Sequence, residues 1–233
     1  MHGFTTGNTS TISSLINIKN AGTKEAHAII VLDESSSMMS VAEATIKGFN
    51  EFLKTQQASQ IATKVSLFAF NGNEVRVLID ALPAKDVPDL TSKSYRPSGM
   101  TNLHDAIGFA VERVNADLGD SAPSIEICII TDGEENTSRK YTKESVAALV
   151  KLCESKDWTF TFVGANIDAF AVGAKLGFGV DNSVSYGYSN IGNTMSMLAT
   201  RTEAVKQARS VGLSAEDTYA ATRFTEAQRN QAK

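Results

Sequence analysis

The chain has 233 residues, of which 42% are hydrophobic, so it can bury one core and lies near the upper end of single-domain lengths. Its net charge of −4, without clustered Lys and Arg, argues against a nucleic-acid partner. No apolar run reaches membrane-spanning length and no secretory signal is evident, so we expect a soluble cytoplasmic protein without a membrane partner. Cys128 and Cys153 lack the neighbours of a zinc or redox motif, and two buried free thiols suit a reducing compartment.

The first half of the chain predicts a central strand, a helix and a hairpin. Residues 1–24 form a polar N-terminal extension, in which the apolar cluster Leu15 to Ile18 is either a short edge strand or a poorly ordered lead-in. The run His27 to Leu32 contains four consecutive apolar residues and predicts a strand that is buried on both faces. The elements after it are a helix from Met38 to about Thr55, a strand from Lys64 to Phe70, a turn at Asn71-Gly72-Asn73 and a strand from Glu74 to Asp80. We expect the last two strands to form an antiparallel hairpin at one edge of the sheet.

In the second half, apolar runs that predict strands alternate with helical patterns. The predicted helices are Leu103 to Leu118, a helix capped by Thr142 that runs to Cys153, a short helix around Asp168 to Leu176 and a helix from Asn190 to Ala208. The predicted strands are Ile125 to Thr131, Trp158 to Val163 and Ser183 to Tyr186. Ser214 is a candidate cap for another short helix, but the polar composition after Gly212 predicts a weakly held tail.

This alternation predicts an α/β fold with a doubly wound, mostly parallel sheet, one antiparallel edge strand and helices on both faces. A single domain is expected over residues 25–210. It follows the extension of residues 1–24 and precedes a polar tail over residues 211–233.

Oxygen-bearing side chains follow the first central strand. Asp33, Ser35 and Ser37 stand at alternate positions after its end, where open α/β sheets bind ligands. The strand that ends at Thr131 delivers Asp132 in the same way, and Thr101 precedes a helix. Carboxylate and hydroxyl oxygens are ligands for hard divalent cations. If the two strands are neighbours, these side chains form a metal site.

Each of these elements also has a simpler interpretation. A Ser-rich turn after a strand often caps a helix, so the stretch Asp33 to Ser37 would be a cap alone. Thr101 would cap its own helix, and Asp132-Gly133 would be an ordinary turn. The metal interpretation depends on the conjunction of the three.

Taken together, Asp33-Glu34-Ser35-Ser36-Ser37, Thr101 and Asp132-Gly133 resemble the metal-ion-dependent adhesion site (MIDAS) of the von Willebrand factor A domain family. The resemblance covers roughly residues 25–198 and implies the Rossmann-like fold of that family. Gly164 to Asp168 and Leu176-Gly177 resemble bacterial and phage members of the family more than integrins.

The resemblance implies a role for each residue. Ser35, Ser37 and Thr101 would offer hydroxyl oxygens directly to Mg²⁺, with Mn²⁺ and Ca²⁺ as alternative ions. Asp33 and Asp132 would act mainly through bound water and by orienting the hydroxyls. Magnesium keeps several waters in an octahedral oxygen shell at about 2.0 to 2.1 Å, so one position would stay open for an Asp or Glu of a protein partner.

The leading hypothesis is therefore a non-enzymatic, Mg²⁺-dependent protein-interaction module. A metal-dependent phosphoester hydrolase is an alternative. Against it, Ser35 stands where an aspartyl phosphatase needs a second Asp, and neither a phosphate loop nor an evident general base is present. A structural subunit of a larger assembly, with an empty site, is a third possibility. Glu134 and Glu135 would rim the site or form a solvated loop, and His104 is expected to be a surface or packing residue.

Overall fold

The structure, a computed structural model, describes residues 23–118, 123–165 and 168–232. Its strands are β1 (Glu25–Asp33), β2 (Ala62–Phe70), β3 (Val75–Pro83), β4 (Ser124–Thr131), β5 (Thr159–Ala165) and β6 (Ser183–Tyr186). They form one six-stranded sheet in the order β3-β2-β1-β4-β5-β6. Every neighbouring pair is parallel except β2 and β3. The predicted mostly parallel sheet with one antiparallel edge strand is confirmed.

Helices cover both faces of this sheet. They are α1 (Ala42–Gln57), α2 (Leu103–Asp117), α3 (Lys143–Glu154), α4 (Ala169–Lys175), α5 (Ile191–Ser210), α6 (Ala215–Thr222) and α7 (Glu226–Ala232). Along β1, Ile30 and Leu32 belong to the core that α1 and α5 cover, whereas Ile29 and Val31 belong to the core under α2 and α3. This double burial explains why β1 is a continuous apolar run. Within the described ranges, no helix is long and apolar enough to cross a membrane.

The pairing of β1 with β4 determines where the candidate site lies. The two strands are parallel neighbours, with Leu32 opposite Ile130. Every residue of β4 is buried. Because parallel strands end at the same edge of a sheet, Asp33 and Asp132 leave it side by side.

The predicted hairpin is formed by β2 and β3. Phe70 pairs with Val75, and the Asn71 N–H donates to the carbonyl of Glu74 at 3.1 Å. The Asn71 side chain also accepts a hydrogen bond from the Asn73 N–H at 3.0 Å, as short polar turn residues commonly do. The hairpin places β3 at the sheet edge next to β2, as expected.

The helix predicted from Met38 begins differently. Ser36–Val41 is a 3₁₀ helix that precedes α1, and Met38 is buried while Met39 is 63% exposed. The apolar spacing identified the buried face, but one turn of sequence cannot distinguish three residues per turn from 3.6.

We expected a weakly held tail after Gly212, and this prediction is wrong: the segment forms the helices α6 and α7. The Ser214 hydroxyl accepts a hydrogen bond from the Asp217 N–H at 3.0 Å and caps α6, while Phe224 and Ala232 are buried. Side chains of the domain donate hydrogen bonds to the backbone of this segment. The polar composition of the segment does not reveal such contacts. The candidate edge strand Leu15 to Ile18 lies outside the described residues.

A buried ion pair joins α5 to the sheet. Arg201 is 3% exposed and Glu126 is 2% exposed, and Nη1 of Arg201 lies 2.7 Å from Oε1 of Glu126. Arg201 also donates through Nε to the carbonyl of Thr222 at 3.2 Å, which ties α5 and α6 together.

Removal of the arginine alone leaves a buried carboxylate without its partner. We expect Arg201→Met to lower the free energy of unfolding by about 3 to 5 kcal/mol, as measured by urea denaturation. The double variant Arg201→Met/Glu126→Gln should recover a large part of that loss, because it also removes the buried charge. Equal losses in both variants would contradict a destabilisation that arises from the unpaired charge.

His27 is a buried titratable group in β1. Its Nε2 lies 2.8 Å from the Ser66 hydroxyl, and the residue is 5% exposed. The pKa of His27 is lowered from 6.5 to about 4, mainly by burial and also by the charge of Lys64, while Asp80 opposes the shift. The ring therefore stays neutral in the folded chain, and its contribution to stability is present above pH 6.5 and declines as the pH falls towards 4.

We therefore expect the stability difference between the wild-type chain and a His27→Gln variant to depend on pH. Between pH 7 and pH 5, the free energy of unfolding of the wild type should fall by about 2 kcal/mol relative to the variant, because only the histidine gains a proton on unfolding. Urea titrations at several pH values measure this difference. A difference that does not change with pH would show that the ring is solvated in the folded state.

Candidate metal centre

The structure brings the predicted site residues to one edge of the sheet. Asp33 ends β1, Asp132 follows β4, and Thr101 lies just before α2. Asp33, Ser35, Thr101 and Asp132 are each no more than 6% exposed, whereas the Ser37 residue is exposed. Three loops that are distant in sequence thus meet in a pocket of polar oxygens.

Asp33 is held by hydrogen bonds to its carboxylate. Its Oδ1 accepts from the Ser35 N–H at 2.7 Å, and its Oδ2 accepts from the Thr131 hydroxyl at 2.6 Å. The pKa of Asp33 is raised from 3.8 to about 6, mainly by burial; the hydrogen bonds from Thr131 and Ser35 oppose the rise, and the charge of Asp132 contributes to it. The carboxylate is fixed in position but poorly compensated in charge.

Two hydroxyls, which we call the hydroxyl line, connect the first loop, the one that follows β1, to Asp132. The Ser35 and Ser37 hydroxyl oxygens lie 2.9 Å apart, and the Ser37 hydroxyl donates to Oδ1 of Asp132 at 2.6 Å. Since Ser37 donates its one proton to Asp132, it can only accept in its contact with Ser35. Ser35 precedes the 3₁₀ helix but makes no side-chain cap there, so the interpretation of this stretch as a helix cap alone does not fit its side chain.

Thr101 reaches the same place from the side. A Cβ atom added to Gly133 would lie 3.3 Å from the Thr101 Oγ1, so this hydroxyl stands directly over the residue after Asp132. The main chain of Thr101 is fixed by Asn136, which donates its N–H to the Thr101 carbonyl at 3.0 Å and accepts the Thr101 N–H on its side chain at 2.9 Å. Asn102, not Thr101, is at the start of α2.

Backbone hydrogen bonds connect the loop before Thr101 to the first loop. The Ser36 N–H donates to the Gly99 carbonyl at 3.0 Å, and the Ser98 N–H donates to the Glu34 carbonyl at 2.8 Å. Gly99 has a φ of +77°, which is accessible to glycine at little cost. These contacts hold Thr101 against the loop that carries Ser35 and Ser37, which we call the serine loop.

Glu34, for which the sequence predicts no role of its own, has a structural one. Its side chain is fully buried, and both of its carboxylate oxygens lie 2.7 Å from Nη1 of Arg76. It also accepts the Arg96 N–H at 2.5 Å. The acid between Asp33 and Ser35 therefore turns away from the hydroxyls and stabilises the loop; its partner lies 42 positions away, where no local pattern indicates it.

Glu135 differs from both predicted roles, which were the rim of the site and a solvated loop. It accepts the backbone N–H groups of His104, Thr137 and Ser138 at 2.6 to 2.8 Å. The His104 ring lies beside it, with Nδ1 3.7 Å from Oε2 of Glu135, which agrees with a packing role for this histidine. Glu134 is exposed. Glu135 thus joins the loop after Asp132 to the start of α2.

Three tyrosines, none of them predicted, surround the acids. The Tyr95 hydroxyl donates to the Asp33 carbonyl at 2.6 Å, and the Tyr188 hydroxyl donates to Oδ2 of Asp132 at 2.7 Å.

The Tyr186 hydroxyl is buried and has no hydrogen-bond partner among the residues that the structure describes. Burial raises the pKa of Tyr186, and the charges of Asp132 and Asp33 raise it further. The sequence Tyr186-Gly187-Tyr188 at the end of a predicted strand was the available signal.

The residues present fit a hard divalent cation. Neither Asp33 nor Asp132 has an ion-pair partner in the described part of the chain. Buried carboxylates without a counter-charge are costly, and a cation would remove that cost. The described residues contain no group of three or more His, Cys, Asp or Glu that could hold a metal, so an ion here would depend on the hydroxyls. The unpaired Tyr186 hydroxyl is a ready partner for a water molecule at the site.

Comparison with known proteins identifies the family of the fold. A model of the von Willebrand factor type A domain matches residues 28–208, which is more than half of the chain. No curated protein sequence matches the chain.

Several solved structures are similar in fold. Proximal thread matrix protein 1 from the mussel byssus has a TM-score of 0.60 at 13% identity, over 75% of this chain and 47% of that one. The same mussel protein with a zinc-occupied MIDAS motif has a TM-score of 0.58 at 14% identity, with coverage of 75% and 47%. The VWA domain of SpRpn10 has a TM-score of 0.56 at 12% identity, over 74% of this chain and 94% of that one.

The present chain spans about half the length of the mussel protein, 47%. At such low identities the likeness shows a shared fold and transfers neither ligand nor activity. The sheet order and the family match over residues 28–208 show that the chain belongs to the von Willebrand factor type A domain family.

Proposed function

We propose that this domain binds Mg²⁺ at the centre described above and through it captures an Asp or Glu side chain of a protein partner. The observation that carries the proposal is the hydroxyl line from Ser35 through Ser37 to Asp132, beside Asp33, with no cationic side chain paired to either acid in the described ranges. Domains of this family are generally protein-interaction modules, which supports a protein ligand.

The donor set explains how such a centre would favour an acidic ligand. A bound Mg²⁺ would supply a Lewis-acidic position for one carboxylate oxygen. Ser35, Ser37 and Thr101 would hold the ion through neutral hydroxyl oxygens, whose lone pairs remain available because Ser35 and Ser37 donate their protons onward. Asp33 and Asp132 would orient these groups. Two carboxylates balance the ion's charge without exceeding it, so a further carboxylate is still attracted.

We also propose that the domain is not an enzyme. The two histidines that the structure describes are engaged elsewhere: His27 contacts Ser66 in the sheet, and His104 lies beside Glu135. Ser35 occupies the position at which an aspartyl phosphatase would need a second acid. These observations disfavour the phosphoester hydrolase alternative, because neither of the two described histidines is available to the carboxylates as a general base.

Two exposed methionines beside the centre support a protein ligand. Met39 is 63% exposed and Met100 is 54% exposed, and their loops are joined by the hydrogen bond between Ser36 and Gly99. Methionine is common at surfaces that bind other proteins because its side chain adapts to different contacts. We infer that the partner presents its acid next to apolar side chains.

We propose a cytoplasmic location on the basis of the cysteines. Cys128 in β4 and Cys153 in α3 are both free and buried. Unpaired thiols are typical of proteins from reducing compartments.

Binding of Mg²⁺ should be measurable as thermal stabilisation of the full chain. At a concentration about 100 times the Kd, an ion that binds only the folded state stabilises it by about 2.7 kcal/mol, which corresponds to a rise in Tm of several degrees. Asp33→Asn should abolish this rise without lowering the Tm of the metal-free chain, because it removes a buried charge that has no counter-ion.

Asp105→Asn is the matched control for that variant. Asp105 accepts backbone N–H groups from Arg139, Lys140 and Tyr141 and takes no part in the hydroxyl line. The Asp105→Asn variant should lower the Tm of the metal-free chain but should keep the rise in Tm that Mg²⁺ causes. If neither Mg²⁺, Mn²⁺ nor Ca²⁺ stabilises the wild-type chain, the structural-subunit alternative is favoured. Turnover of a generic phosphoester that Asp33→Asn eliminates would favour the hydrolase.

The two adjacent serines offer a second test. Ser37→Ala interrupts the hydroxyl line and should weaken Mg²⁺ binding at least tenfold in a calorimetric titration, because it removes a direct ligand and a partner of Asp132. Ser36→Ala is the matched control, since Ser36 contributes only its backbone N–H to the contacts described above. Equal affinities in the two variants would contradict the proposed ligand set.

Peptide selection examines the acidic ligand directly. Peptides recovered from a random display library on the full chain with Mg²⁺ should be enriched in Asp and Glu and should be released by a chelator. Binding that persists in chelator, or peptides without acids, would argue against capture through the ion.

A further inference from the structure

The segment after the family-matched region packs along β6, the edge strand of the sheet. Arg229 in α7 donates through Nη1 to the Ser183 carbonyl at 2.9 Å and through Nη2 to the Val180 carbonyl at 3.0 Å. At the other end of β6, the Gly187 N–H donates to the Ala232 carbonyl at 2.8 Å. The short helix α7 therefore holds β6 at both of its ends. The family match ends at residue 208, so these contacts belong to a C-terminal addition that lies beyond the matched region.

This addition is itself anchored on the body of the domain. The guanidinium of Arg201 lies 5.0 Å from the centre of the Phe224 ring, and Phe224 is 4% exposed. In α6, the Tyr219 hydroxyl accepts the Phe160 N–H and donates to Glu154, both at 2.8 Å. Both α6 and the connection to α7 are thus fixed to β5, α3 and α5.

The chain leaves β6 directly towards the candidate metal centre. Tyr188, the neighbour of Gly187, starts the 3₁₀ turn Tyr188–Asn190 and donates its hydroxyl to Oδ2 of Asp132 at 2.7 Å. The other oxygen of Asp132 accepts from Ser37. Asp132 is therefore oriented by one hydroxyl from the serine loop and by one from the strand that α7 holds.

We propose that Tyr188 is a positioning residue of the metal centre and that α7, through Arg229 and the Gly187–Ala232 contact, holds it against Asp132. The C-terminal addition would then support metal affinity although it contributes no ligand. This inference rests on the proposed function, because it concerns the same ion. Its physical basis is that hydrogen-bond partners of metal-orienting carboxylates typically change metal affinity by 10- to 100-fold when they are removed.

Calorimetric titration of the metal-free full chain with Mg²⁺ alone tests the role of Tyr188. Tyr188→Phe keeps the ring and removes the hydroxyl, so the Kd should rise by about tenfold. Tyr141→Phe is the matched control: it also loses a hydroxyl that donates to a carboxylate, that of Glu112, but away from the centre. Its Kd should equal that of the wild type. An unchanged Kd in Tyr188→Phe would overturn the proposal.

Arginine variants test the role of α7. Arg229→Ala should weaken Mg²⁺ binding in the same direction, whereas Arg223→Ala, which removes an exposed arginine just before Phe224, should not. Arg229→Lys is a milder variant that keeps the charge but loses the two-pronged contact with the carbonyls, and it should lie in between. Urea denaturation of each metal-free variant verifies that the domain is folded.

A double variant distinguishes action through Tyr188 from a general loss of stability. If Arg229 acts by holding Tyr188, then Tyr188→Phe/Arg229→Ala should bind Mg²⁺ no more weakly than Tyr188→Phe alone. Full additivity of the two effects would overturn the role of α7. Absence of Mg²⁺ binding in the wild-type chain would overturn both this inference and the proposed function. Normal wild-type binding with an unaffected Tyr188→Phe variant would overturn this inference alone.

Discussion

The parallel pairing of β1 with β4 is the constraint on which the candidate site depends. In the observed register, Asp33 lies close enough to the end of β4 to accept the Thr131 hydroxyl at 2.6 Å, although the two residues are 98 positions apart. Alternate side chains of β1 and β4 pack into the two cores on opposite faces of the sheet. A slip by one residue would move every side chain of a strand into the other core, so this packing maintains the register. The cores that stabilise the domain therefore also bring the two acids together.

Charge compensation separates the acids at this edge of the sheet into two kinds. Glu34 is buried with Arg76 as its counter-charge, and it stabilises the loop. Asp33 and Asp132 receive only neutral hydrogen-bond donors, which orient a carboxylate but leave most of its charge uncompensated. The folded domain thus concentrates negative charge at one edge of the sheet, among hydroxyls, and this is the physical reason to propose a cation there.

The C-terminal addition shows how a polar segment can be held without a large apolar face. Its contacts include two hydrogen bonds from Arg229 to backbone carbonyls, a backbone hydrogen bond to Gly187 and one buried aromatic ring, Phe224. By covering β6 it also protects an edge strand whose free backbone groups would otherwise be exposed to pairing with other chains. One of these contacts, the hydrogen bond to Gly187, lies next to Tyr188. The segment that protects the edge strand is therefore also close to the hydrogen bonds around Asp132.

The sequence by itself determined the kinds of elements, the fold class and the loops that carry the donors, because these follow from local periodicity and from the side chains that come directly after an apolar run. It predicted the hairpin from Asn71-Gly72-Asn73 and both central strands, but it left open whether these two strands are neighbours. Only the tertiary structure decided the partners: Arg76 for Glu34, Tyr188 for Asp132 and α7 for β6. These contacts join positions between 42 and 56 residues apart or depend on single side chains and carbonyls, and such pairings leave no periodic pattern in the chain.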